Sequence, residues 1–465
     1  MEPFRLSARE LLAAYRSRQL SPVEAMASVI GRVEAFEPHI AATFLFRPER
    51  ALEAARASEA RWGRGEPLGA LDGVPVTIKD NIATRGDPTP LGTAANELTQ
   101  AAEDAPPAAR LREAGAILFA KTTMPDYGML SSGLSSFHKL ARNPWSLARN
   151  PGGSSAGAGA AAAAQYGPLH IGTDIGGSIR LPAGWCGIFG LKPSAGRVPI
   201  DPPYAGRAAG PMTRNAADAA LMMAALSRPD IRDYTSLPYE LLDWAAEPAK
   251  LKGLKIGLWL DAGCGDPPAS ETRAAVERAA QDFAEAGATV EALPAFLTQE
   301  MLDGLDRFWR MRALIDISAL SPERRAAVLP FIRAWAESAA GFSAAEIFHG
   351  HSQMAAMAKA AVAATQSFDL ILSPTAPTTA FPAEWASPSQ DPLNPFPHIG
   401  FTVALNMSGQ PAASVPCGFD RQGLPIGVQI VGRRFDDIGV LKAAAAYEAI
   451  RSASLPPWPE PAPAK

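Results

Sequence analysis

From residue 73 onward, short apolar runs alternate with stretches of helical periodicity, and this rhythm most constrains what the chain can fold into. The runs lie at 74–78, 116–119, 169–171, 255–259, 370–372, 413–415 and 426–431, with helical patterns between them at 107–114, 156–165, 216–226, 271–286 and 438–451. Strands alternating with helices pack as an α/β layer structure on one large sheet. The segment 425–432 is almost wholly apolar, which predicts a central strand buried on both faces.

The first 65 residues read as helices instead. Ser7 with Glu10, and Ser21 with Glu24, each place a capping hydroxyl three residues before a carboxylate, and Pro22 takes the first helical position, where its missing N–H costs nothing. Between 298 and 365 the alternation stops and helical sequence dominates, with a third capping pair at Ser343 and Glu346. The predicted organisation has four parts. They are a helical segment at 1–65 packed on the core, an α/β core at 66–297 and 366–452, a helical insertion or cap at 298–365, and a loose Pro/Ala-rich tail at 453–465.

Composition narrows the function classes. A net charge of −4 argues against a phosphate-binding surface, and no polybasic arm is present. The three cysteines, Cys186, Cys264 and Cys417, are too far apart in sequence for a local metal or redox pair, and their sparse count fits a reducing compartment. No apolar stretch reaches the roughly 20 residues that span a bilayer, and the first residues lack the apolar run of a signal peptide. The expectation is a cytoplasmic protein with no cofactor and no metal, bound to neither nucleic acid nor membrane. Asn406-Met407-Ser408 matches a glycosylation sequon, which carries little weight without a secretion signal.

The chemistry-bearing region is 150–193, where Gly-Gly-Ser occurs at 152–154 and again at 176–178. Such turns also occur in linkers, but the second follows an apolar run and Asp174 and enters Ile-Arg-Leu-Pro, which is not low complexity. Successive backbone N–H groups around Ile175, Gly176 and Gly177 can converge on one point, as an oxyanion hole requires, with Ser178 beside it. A nucleophilic serine needs a base, and the six histidines form no suggestive cluster. Lys79, at the end of the run 74–78, is the remaining candidate. A lysine at a strand end is ordinarily just solvated, so the residues alone leave its role open. Ser136-Phe-His-Lys139 and Gly153–Gly157 formally fit SxxK and GxSxG patterns, yet both lack the companion features of those sites.

Residues 152–157 and 172–193 match, almost position for position, the GGSSxG turn and the GTDxGGSIRxPAxxCGxxGLKP stretch of the amidase signature family, which the chain resembles. Residues 71–81 resemble that family's lysine strand, and 401–432 its C-terminal core; the likeness covers about 5–230 and 368–450. The resemblance implies a large mixed central β-sheet covered by helices on both faces, with the 298–365 insertion over the site. It assigns Ser178 as nucleophile, Ser154 as bridging serine after a cis peptide at Gly153–Ser154, and Lys79 as base. It also implies oxyanion donors at Ile175, Gly176, Gly177 and Ser178, with Asp174, Ser155 and Arg180 bracing the loop. Where the family commonly has glycine after GGSS, this chain has Ala156, a one-methyl change expected to matter little.

The implied activity is hydrolysis of a small carboxamide through a seryl acyl-enzyme. The alternative is the glutaminase subunit of a tRNA-dependent amidotransferase. The stretch 206–218 resembles free-standing hydrolases more than that subunit, and self-association into a homodimer is left open. Substrate-binding candidates are Tyr127 and Met129, from the segment 126–137, and Trp309 and Arg310, from the insertion, with Arg312 as the other arginine there.

Overall fold

The computed structural model describes residues 2–245 and 247–460. Among these, eleven strands form one sheet. They are β1 (Thr43–Phe46), β2 (Pro75–Lys79), β3 (Ile117–Thr122), β4 (Leu169–Asp174), β5 (Phe189–Lys192), β6 (Ala208–Thr213), β7 (Lys255–Leu258), β8 (Thr289–Ala292), β9 (Leu370–Pro374), β10 (Ala412–Phe419) and β11 (Pro425–Val431). Their spatial order is β1-β3-β2-β4-β6-β5-β10-β11-β9-β7-β8. The sheet is mixed: β2 pairs parallel with β3 and β4, and β7 with β8 and β9, while the pairs from β4 through β6, β5, β10 and β11 to β9 are antiparallel.

Side chains alternate across the pleat, so each central strand feeds two cores. Leu370 and Leu372 of β9 join the core built with the helices Ala216–Leu226, Ser270–Glu285 and Asp437–Ile450, whereas Ile371 between them joins the opposite core with the helix Gln299–Ser318. β11 lies between β10 and β9 with every residue buried, as its apolar sequence predicts.

All three predicted capping boxes form, at Ser7/Glu10, Ser21/Glu24 and Ser343/Glu346. The first 65 residues are not wholly helical, because β1 pairs antiparallel with β3 between two helices. Four helices, Gln299–Ser318, Pro322–Ala327, Pro330–Glu337 and Ala344–Thr365, fill the stretch between β8 and β9. In the C-terminal segment, Glu460 accepts hydrogen bonds from Arg32 and Arg5, and the Trp458 ring lies 6.1 Å from that of Trp145. The rest of the predicted loose tail, 461–465, lies outside the described residues. No helix among the described residues is long and apolar enough to cross a membrane.

Candidate active site

β2 and β4 are parallel neighbours, so their C-terminal ends emerge side by side and deliver Lys79 next to Thr173 and Asp174. Crevices at such strand ends are the usual ligand sites of α/β sheets. Two turns close over this edge. One carries Ser154 and Ser155 into the helix Ala156–Ala163, and the other carries Ser178 into the helix Arg180–Cys186. The Ser155 N–H donates to the Ser178 carbonyl at 3.2 Å, which ties one turn to the other. The Gly153–Ser154 peptide is cis.

Gly177 and Gly157 are among the positions where only glycine fits. Gly177 has φ of +129°, and a Cβ there would press on Thr402 Oγ1 and Leu181. A Cβ on Gly157 would collide with the backbone of Ala42 and Thr123, so the helix can approach the β1–β3 edge only with glycine at that place. Ala156, the departure from the family pattern, is the first residue of the helix and is accommodated fully buried.

Lys79 is wholly buried, and its amine lies among hydroxyls: Ser154 Oγ at 2.8 Å, Ser155 Oγ at 3.0 Å and Thr173 Oγ1 at 3.0 Å. Burial pushes its pKa well below the ordinary lysine value, and the charge of Arg207 pushes the same way, against Asp174 and Asp80. A neutral amine has a free lone pair, so it can accept the Ser154 hydroxyl proton. Ser155 also donates to the Thr173 carbonyl at 3.1 Å and accepts from its N–H at 3.2 Å, which fixes the first turn against β4.

Ser178 and Ser154 line one cavity of about 660 Å³. Among the described residues no hydrogen bond joins Ser178 Oγ to Ser154 Oγ or to any other group, while Ser154 Oγ is held by Lys79. Catalytic hydrogen bonds commonly close only in the complex. Of the four candidate oxyanion donors, Gly177 is otherwise engaged, since its N–H donates to Asp174 Oδ1 at 2.8 Å. Among the described residues the N–H groups of Ile175, Gly176 and Ser178 have no partner. Asp174 thus shapes the turn by consuming one of its donors.

Arg180 holds that arrangement from behind. All five of its N–H groups are used: two on Asp174, two on the Thr402 carbonyl and Gln429 Oε1, and one on Asn406 Oδ1. Burial alone would raise the Asp174 pKa, but the Arg180 charge and hydrogen bonds, with Asn406, carry it well below the carboxylate range. The pair is fully buried, and removing one partner of such a pair typically costs about 3–5 kcal/mol. Thr402 Oγ1 donates to the Gly176 carbonyl at 2.6 Å, which orients the same turn.

Thr402, Asn406 and Gln429 thus support the site, although no local motif singles them out. Their only signal in the sequence is a polar side chain inside an otherwise apolar run. Asn406 is buried on Asp174 and Arg180, which removes the sequon reading.

Tyr127 and Met129 line the cavity, and Trp309 lines a narrower apolar recess of about 40 Å³ that adjoins it at Ser178. Arg310 lines neither. Its guanidinium is spent on Asp306, Ser338 and the Leu393 carbonyl, and Arg312 is the helix arginine that reaches the cavity. Each step along a helix rotates the side chain by about 100°, so neighbours of equal chemistry face different ways. No described histidine lines the cavity or the recess. His170 is buried against Thr77, with burial pushing its pKa down to about 3, and His138 binds Asp80.

A family model described as Amidase matches residues 24–441. Relatives include a glutamyl-tRNA(Gln) amidotransferase subunit from Moorella thermoacetica, 35% identical over 96% of this chain and 97% of that protein. The corresponding subunit from Myxococcus xanthus is also 35% identical, over 95% of this chain and 96% of its own. Among solved structures, a bacterial aryl acylamidase superposes with a TM-score of 0.88 at 33% identity, covering 96% of both chains. The peptide amidase of Stenotrophomonas maltophilia superposes with a TM-score of 0.84 at 26% identity, covering 98% of this chain and 99% of its own.

Proposed function

Because the chain belongs to the amidase signature family, we propose that it is a free-standing hydrolase of small carboxamides in which Ser178, Ser154 and Lys79 carry the reaction. The observation behind this reading is the buried Lys79 amine, held at 2.8 Å from Ser154 Oγ beside a cavity that Ser178 also lines. Neutral Lys79 accepts the Ser154 proton, Ser154 accepts that of Ser178, and Ser178 Oγ bonds to the amide carbon. The N–H groups of Ile175, Gly176 and Ser178 receive the oxyanion. The C–N bond then breaks as Ser154 returns a proton to the leaving nitrogen. Water, deprotonated through the same relay, cleaves the ester and frees the acid.

A second reading, the glutamine-hydrolysing component of a tRNA-dependent amidotransferase, draws on the names of the 35% identical relatives. The two readings separate on the purified chain. Alone, with no glutamine, ATP, tRNA or partner protein, it is expected to hydrolyse members of an amide panel, and intact-protein mass spectrometry to show the acyl mass on Ser178. Turnover confined to a complex with a co-purified protein would favour the amidotransferase.

Trp309 is proposed to set the acyl preference. Its ring stands edge-to-face on Phe396 at 5.7 Å and covers Gly176, where an added Cβ would meet it at 3.2 Å. Trp309→Ala enlarges the recess. It is expected to shift relative kcat/KM from small aliphatic toward aryl acyl groups by at least about tenfold, or roughly 1.4 kcal/mol. The side chain is only 7% exposed and belongs to the core, so a fall in melting temperature is expected alongside. Lost stability with unchanged preference would leave Trp309 a packing residue only.

A further inference from the structure

We propose that the amide cleaved here carries a carboxylate on its amine side, seated between Arg207 and Arg312, with a short apolar acyl group in the recess under Trp309. The proposal rests on the serine hydrolase reading above and adds the substrate's polarity and direction.

The arginines supply the charge. Arg207 and Arg312 line the same cavity as Ser154 and Ser178. The buried arginines Arg32, Arg180, Arg197 and Arg310 each pair with a carboxylate, but neither of these two forms an ion pair among the described residues. Arg312 stacks on the Tyr204 ring at 4.0 Å, which fixes its plane and leaves its edge open. Among the described residues the Arg207 side chain donates only to the Pro202 carbonyl, at 3.1 Å. The two lie close enough for Arg312 to add to burial in lowering the Arg207 pKa to about 10. Two like charges converging on a cavity invite an anion.

No described protein group fills that role. Asp316 borders the cavity and Asp201 acts on Arg207 from nearby, yet both are exposed and neither forms an ion pair with either arginine. Asp174 also borders the cavity, but its oxygens are taken by Arg180, Asn406 and the Gly177 N–H. A planar carboxylate matches the guanidinium fork in geometry and charge.

The relay supplies the direction. The proton returned to the leaving nitrogen comes through Ser154, so that nitrogen must face Ser154. Ser154 lines the large cavity and is absent from the recess. The amine portion therefore lies in the cavity with the arginines. The acyl portion, on the other side of Ser178, enters the recess walled by Leu130, Trp309, Phe396 and Ile399. Arg312 borders both spaces at their junction.

The test compares N-acetyl-4-aminobenzoate with the neutral N-acetyl-4-aminobenzamide, which share acyl group, scissile bond and ring. The carboxamide substituent withdraws electrons more strongly, so leaving-group chemistry alone favours the neutral compound. The expected result is a kcat/KM at least about tenfold higher for the carboxylate in wild type, falling to within about threefold in Arg207→Gln and in Arg312→Gln. Where turnover is too slow to rank, the same pair is ranked by how far each slows fluorophosphonate labelling of Ser178. That labelling also reports a folded site in each variant. Equal or reversed ranking in wild type, or a ranking unchanged in both variants while Ser178 still labels, overturns the proposal and leaves the hydrolase reading standing. Loss of labelling and hydrolysis in wild type removes that reading, and the proposal with it.

Discussion

Ser178→Ala is expected to lower kcat for amide hydrolysis on the order of 10⁵-fold while leaving the fold intact. The size of the loss follows from what the hydroxyl alone provides in the proposed reaction, which is the oxygen that bonds to the acyl carbon. The N–H groups of Ile175, Gly176 and Ser178 remain, so residual catalysis comes from the oxyanion site and binding. Stability should change little, since Ser178 Oγ satisfies no other described group of the protein and its loss orphans no buried donor or acceptor. The checks are single-turnover kinetics, thermal melting, and a fluorophosphonate probe that labels wild type on Ser178 alone. Labelling at another residue, or turnover near wild type in the variant, ends the assignment.

Lys79→Ala is expected to be comparably damaging, and more so than replacement of any of the six histidines. Lys79→Met should behave alike, because it keeps the stem and loses only the base. The pH profile carries the sign. In the proposed relay lysine works as the free amine, so kcat/KM should rise with pH as Lys79 deprotonates and then level off. Since burial and Arg207 depress this pKa, the rise should finish well below the ordinary lysine range. Removing the Arg207 charge should move the rise to higher pH. An intact Lys79→Ala enzyme beside an inactive histidine variant would point to a different base.

What the sequence made legible follows the length of the local signal. The glycines, serines and lysine of the candidate site fall in three short motifs that carry the family resemblance, and capping boxes are patterns spanning a single turn, so both leave a local mark in the sequence. β11 was readable because nearly every position is apolar and all of them are buried. β6, Ala-Ala-Gly-Pro-Met-Thr, has almost no strand propensity of its own and exists because β4 and β5 pair with it on either side. β8, Thr-Val-Glu-Ala, is an edge strand with one large apolar residue, so no apolar run marks it, and the short run of β1, Thr-Phe-Leu-Phe, is masked by the helical patterns on either side. In the site, the residues without a local signal are those acting at long range: Asn406 and Gln429 meet Arg180 across 226 and 249 residues of chain. Arg312 and not Arg310 lines the cavity for a different reason, as helical phase decides it and composition does not.

The bracing of Arg180 has a consequence for how the protein is made. Arg180, just after Ser178, leaves the ribosome well before Gln429, which follows it by 249 residues on a strand that takes its place between β10 and β9. At about 5–20 residues per second, translation separates the two by roughly 10–50 s. During that interval Arg180 and Asp174 lack the Gln429, Thr402 and Asn406 contacts that fix the oxyanion turn. A nascent chain therefore holds Ser178, the proposed nucleophile, on an unbraced turn until β11 has emerged.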